Sequence, residues 1–143
     1  MISEEDQVTI RNMAADSVAA IRRQQFGEAG AITADIGSCG GSEALVMLCD
    51  CWAELARQAM HHIPNLLEAG PALPQHATFT LDIDDMCPPD LWAARYICAW
   101  TLADPDWAHD LYFSLDYGDR DIAMQALVEI TACWQALKER VCQ

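Results

Sequence analysis

The residues able to do chemistry fall in a few short constellations. Asp106-Trp-Ala-His109 sets a carboxylate and an imidazole three positions apart, a spacing that puts both on one helix face and suits chelation of a transition metal. His61-His62 supplies further imidazoles, and His76 is the fourth histidine. A metal-dependent enzyme built on His109, Asp106 and one of His61 or His62 would need these groups to converge from distant parts of the chain. The sequence has neither His-Glu-x-x-His nor the paired Glu-x-x-His of a carboxylate-bridged di-iron site. No metal and no cofactor is therefore expected.

Asp82-Ile-Asp84-Asp85 has the look of a calcium loop. An EF-hand needs glycine at its sixth position and a bidentate glutamate at its twelfth, and counting from Asp82 these are Cys87 and Ala93. The motif fails, and the three carboxylates are read as an acidic loop that steers a basic partner by long-range attraction. Asp116 and Asp119 extend the expected binding surface.

Two cysteine settings invite a reading as sites. Cys49 and Cys51 are two residues apart, so in a helix their side chains point about 200° apart around the axis and cannot share a tetrahedral ion. In Gly37-Ser-Cys39-Gly-Gly-Ser42 a cysteine in a glycine-rich turn before a helix start resembles an activated nucleophile. It lacks a base within reach unless the fold brings His76 or His109 to it. The same turn has no lysine and lacks the spacing of a phosphate-binding loop.

Composition sets the frame for these groups. The 143 residues carry 22 acidic side chains against 8 basic ones, a formal charge of -14, while 52% are hydrophobic. That is apolar enough for a folded core and too acidic for an unaided nucleic-acid binder, since phosphate neutralisation needs lysine and arginine. The charge is uneven: from Asp82 to Asp121 ten aspartates face only Arg95 and Arg120. An odd count of seven cysteines, several in apolar helical stretches, and an N-terminus without a basic region before an apolar one point to reduced thiols in the cytoplasm. No apolar run reaches the ~20 residues of a membrane span.

The elements that must position these side chains read as helices throughout. Ser3 followed by Glu4, Glu5 and Asp6 is a helix start, and Ile10, Met13, Ala14, Ser17, Val18 and Ile21 form one stripe that Gly27 and Gly30 are expected to end. A short helix over 29–36 follows. Residues 37–41 turn into a long third helix with Leu45, Leu48, Cys49, Trp52, Leu55, Ala56 and Ala59 inward, ended by Pro64. Five of the six prolines (64, 71, 74, 88, 89) mark a connector, in which residues 79–83 read as loop. A fourth helix runs from about Pro89 to Ala103. The fifth starts with Asp104 as cap and Pro105 at its first position. After Gly118 a sixth carries Ile122, Ala126, Leu127, Ile130, Cys133, Trp134, Leu137 and Val141.

The third and sixth helices match one another. Residues 44–55 lie over residues 126–137 with identity at Ala44, Leu45, Val46, Cys51, Trp52 and Leu55, an offset of 82. Upstream an offset of 79 places Val18 over Ile97 and Ala29 over Ala108. Two copies are too few for an open solenoid, so the halves are expected to pack face to face. The sequence thus predicts an all-α, single compact helical domain over residues 1–143. It has about six helices in two three-helix halves, 3–63 and 88–142, related by a pseudo-two-fold and joined by the connector 64–87.

The function expected is a non-enzymatic, acidic protein-protein interaction module of the cytoplasm, an inhibitor or adaptor acting on a basic protein. Its binding residues would be Asp82, Asp84, Asp85, Asp116 and Asp119. Direct nucleic-acid or membrane binding is not expected, and a homodimer is compatible with this reading. The alternatives are the small metal-dependent enzyme above and a decoy that mimics nucleic acid with its carboxylates.

Overall fold

The computed structural model describes residues 2–61 and 87–141, and all their regular structure is helical. Five helices run in the order α1 (Glu4–Arg22), α2 (Phe26–His61), α3 (Pro88–Thr101), α4 (Pro105–Phe113) and α5 (Tyr117–Val141). The expected sixth is absorbed: the second and third predicted helices form one element, α2, interrupted at Gly41.

Gly41 takes φ 65° and ψ −155°, a backbone region open essentially to glycine alone. The chain doubles back there. In a straight helix residues 30 and 52 would stand about 33 Å apart, yet Gly30, Gly37, Leu45 and Trp52 line one cleft of 370 Å³. Leu45 also approaches to 3.4 Å of the place where a Cβ on Gly37 would sit. Residues 26–40 and 42–61 are therefore two arms lying against each other.

α1 begins where its cap residue dictates, with the Ser3 hydroxyl accepting from the Asp6 amide at 3.1 Å. Its end is not where the glycines suggest. The chain turns at Gln24, in the left-handed region at φ 61°, and the Gln25 amide donates to the Ala20 carbonyl at 2.8 Å. This backbone closure satisfies terminal carbonyls without a glycine, so Gly27 and Gly30 lie inside α2. α3 closes the same way through Ala103 at φ 57°, with Asp104 N–H on the Ala99 carbonyl at 2.9 Å. α4 starts as its sequence predicts, Asp104 accepting from the Trp107 amide at 3.1 Å.

The predicted inward stripes meet in one apolar cluster drawing on all five helices, with Trp52, Tyr96, Tyr112, Leu48 and Leu127 among its largest fully buried members. Trp52 sits at the join of three helices. Its indole N–H donates to Ser17 of α1 at 2.9 Å, and its carbonyl accepts from Thr131 of α5 at 3.2 Å. Two stripe residues fall outside this core: Ile122 and Val141, toward the ends of α5, are exposed. The region 79–83 and the histidines His62 and His76 lie outside the described residues.

Among the described residues no helix is long and apolar enough to cross a membrane.

Candidate functional site

One seam gathers several hydrogen-bonded polar groups. α2 presents Asp50, Glu54, Arg57 and His61 at steps of four, three and four residues, which is a single helix face. α3 answers with Tyr96 and Trp100, four apart. The Tyr96 hydroxyl donates to Asp50 Oδ1 at 2.6 Å and the Trp100 indole to Glu54 Oε2 at 2.7 Å. Because both rungs advance in the same direction, α3 runs parallel to the second arm of α2.

Asp50 also takes a third helix. His109 Nε2 of α4 lies 3.1 Å from Asp50 Oδ2. Burial is the main force raising the Tyr96 hydroxyl far above its ordinary range, with Cys49 and Asp50 adding to it, so the phenol remains a donor. Glu54 is held down to about 2, first by the forked hydrogen bonds from Arg57 at 2.8 and 2.6 Å, against burial, and further by Trp100 and Gln58. A cleft of about 440 Å³ opens beside the seam, lined by Arg11, Met47, Asp50, Cys51, Glu54 and Trp100 among others. Burial pushes the Cys51 thiol up, with Arg11 opposing, and Cys49 is raised further by its complete enclosure.

An imidazole oriented by a carboxylate is the positioning half of an acid–base pair. Here the carboxylate is shared with Tyr96, so the seam joins α3 and α4 to α2. The convergence of His109, Asp106 and His61 that the metal-dependent alternative requires does not form, and His62 lies outside the described residues. His61 accepts at Nε2 from Arg57 at 3.0 Å, and it stands eleven residues beyond Asp50, about 16 Å along the helix. Asp106 is exposed. Among the described residues no three His, Cys, Asp or Glu side chains come together as a metal ion would require. The cysteine setting is altered: residues 37–40, expected as a turn, are helical, and Cys39 is exposed in the last turn of the first arm, two residues before the break at Gly41.

A second surface is built by α4 and its flanks. Asp104, Asp106, Asp110, Asp116, Asp119 and Asp121 are all exposed, and none is in an ion pair among the described residues. Of the expected binding residues, Asp116 and Asp119 belong here, while Asp82, Asp84 and Asp85 lie outside the described residues. In and beside this stretch stand Leu102, Trp107, Phe113, Tyr117 and Ile122, five of the eight exposed large hydrophobic residues among those described. Arg120 turns away from its aspartate neighbours onto aromatic rings. Its guanidinium carbon lies 4.4 Å from the Tyr117 centroid, 4.8 Å from Tyr112 and 5.9 Å from Phe113.

The seam escaped sequence reasoning because Asp50 and Glu54 register there only as interruptions of an apolar run. Their 4-3-4 spacing with Arg57 and His61 was the available signal. Compared with family models, with curated proteins and with solved structures, the chain gives no significant match.

Proposed function

We propose that the chain is a non-enzymatic acidic helical module that binds a basic protein, as an inhibitor or adaptor, in the cytoplasm. The observation that carries this reading is the set of six exposed aspartates between residues 104 and 121, which no cation of the described residues neutralises by an ion pair. Fixed, solvated charges of one sign raise the encounter rate with a partner of the opposite sign and repel others. Interior use of Cys49, which is fully buried, is in keeping with thiols kept reduced in that compartment.

The finer architecture belongs to the same proposal: two three-helix units, the first made of α1 and the two arms of α2, the second of α3, α4 and α5. Burial supports it, since Val18 and Ile97, Ala29 and Ala108, and Trp52 and Trp134 are buried at matching positions. The caps support it as well. The bond from Gln25 to Ala20 recurs 79 residues later from Asp104 to Ala99.

Capture from host lysate at low salt tests the function. The expected result is a basic protein that is released by raised ionic strength and retained less by the chain carrying Asp116→Asn and Asp119→Asn, or Asp82, Asp84 and Asp85→Asn. Retention unchanged by salt and by both sets of substitutions overturns the reading.

A further inference from the structure

α4 has an outer face of unusual make-up. At about 100° per residue, Phe113, Asp106, Asp110 and Trp107 occupy an arc of roughly 120°, opposite the buried Ala108 and Tyr112. Two carboxylates are thus bracketed by two aromatic rings. Phe113 is 55% exposed, Trp107 38%, and Tyr117 at the α4–α5 corner 82%. Arg120 reaches both Phe113 and Tyr117 and so bridges those two rings. Large apolar side chains left in water among charged ones mark an interaction surface.

We infer that this face docks an amphipathic basic helix, which sets arginines beside apolar side chains along the border of its two faces. The inference rests on the acidic-module reading and names the chemistry of its partner. Charge complementarity selects the occupant. Nucleic acid, an anionic lipid surface and a second copy of a chain charged -14 are all repelled by these aspartates. A merely basic segment would leave Trp107 and Phe113 wet, and a merely apolar one would leave the carboxylates without counter-charge. Arginine fits better than lysine, because a planar guanidinium stacks on a ring while forking to a neighbouring carboxylate. The chain holds its own instance of the stacking: the Arg120 guanidinium carbon lies 4.4 Å from the Tyr117 ring centroid.

The test uses four 18-residue peptides, helical and leucine-faced, whose polar face is arginine, lysine, glutamine or glutamate, titrated into the full chain. The arginine peptide is expected to bind tightest and the glutamate peptide not at all. Trp107→Ala and Phe113→Ala should each weaken the arginine peptide by about tenfold, as truncation of a central aromatic anchor does. Asp106→Asn with Asp110→Asn should weaken it comparably, while the equal charge change at Asp16 and Asp35, exposed elsewhere, should change it less than about twofold. Tyr117→Ser, at the most exposed of the three rings, serves if Trp107→Ala lowers helix content by circular dichroism. Binding that follows total charge, equally weakened by either aspartate pair and indifferent to the rings, overturns this inference and leaves the acidic-module reading standing. Failure of every basic peptide to bind at low salt removes both.

Discussion

Gln24 and Ala103, 79 positions apart, are the two non-glycine residues with positive φ among those described, at 61° and 57°. Each sits just past the end of a helix and lets the next residue's amide close onto the carbonyl five residues before it. An L-residue in this region carries a steric cost that glycine avoids. The fold tolerates that cost twice because the closure satisfies terminal carbonyls that would otherwise be left without donors.

Glycine should therefore stabilise both positions. Relief of left-handed strain is worth roughly 1 to 2 kcal/mol, offset by the extra unfolded-state entropy of glycine, about 0.5 to 1 kcal/mol. Gln24→Gly and Ala103→Gly are each expected to add up to about 1 kcal/mol, with additive effects because the two turns share no partner. Urea denaturation of the two single variants and the double variant measures this. A loss of stability in either would show that its side chain contributes more than its backbone costs.

Ser17 is the buried partner of Trp52, accepting the indole N–H at 2.9 Å while donating to the Ala14 carbonyl at 2.8 Å. Ser17→Ala leaves that N–H enclosed without an acceptor, which costs about 1 to 3 kcal/mol. Trp52→Phe removes the donor as well as part of the ring. If the hydrogen bond is what Ser17 contributes, Ser17→Ala should cost markedly less in the Trp52→Phe background than in the parent chain. Equal costs in the two backgrounds would assign Ser17 to packing alone.

What the sequence made legible follows from which forces are local. Caps and apolar stripes act over a few residues, so Ser3, Asp104 and the inward stripes around Val18, Trp52 and Trp134 could be read directly. The left-handed turns at Gln24 and Ala103 could not, because no glycine announces them. The Asp50–Tyr96 and Asp50–His109 contacts join residues 46 and 59 positions apart. Each is polar chemistry at the margin of an apolar face, where periodicity reads only a defect. The acidic α4 surface was visible as charge, while its alternation with exposed rings needed the burial of Ala108 and Tyr112 to fix which face points outward.

Acid should loosen the seam through Glu54. Its carboxyl is drawn from 4.5 down to about 2 in the fold, chiefly by Arg57. A carboxylate depressed on folding stabilises the native state above its unfolded value, and that contribution fades as pH falls from about 4.5 through about 2. Some 35% of the side chain is open to solvent, so screening keeps the effect below what the shift alone would give. Glu54→Gln is expected to be less stable than the parent at pH 6, with the gap closing as pH approaches 2. Urea midpoints of both chains at pH 6, 4 and 3 give the result, and a gap that stays constant with pH would assign the loss to packing instead.

The reversal at Gly41 sets glycine against glycine within one helix. Gly41 holds φ 65° with ψ −155°, and alanine there is strained whatever space surrounds it. Gly41→Ala should cost about 1 to 3 kcal/mol, the usual range for a residue forced into so sparse a region. Gly30 has helical backbone, and a Cβ added to it meets nothing within 4 Å. Gly30→Ala should instead stabilise by about 0.5 to 1 kcal/mol, through reduced freedom of the unfolded chain. Opposite signs in paired thermal melts are the expected outcome. A Gly41→Ala chain as stable as the parent would mean that the two arms of α2 do not depend on this backbone to fold back on each other.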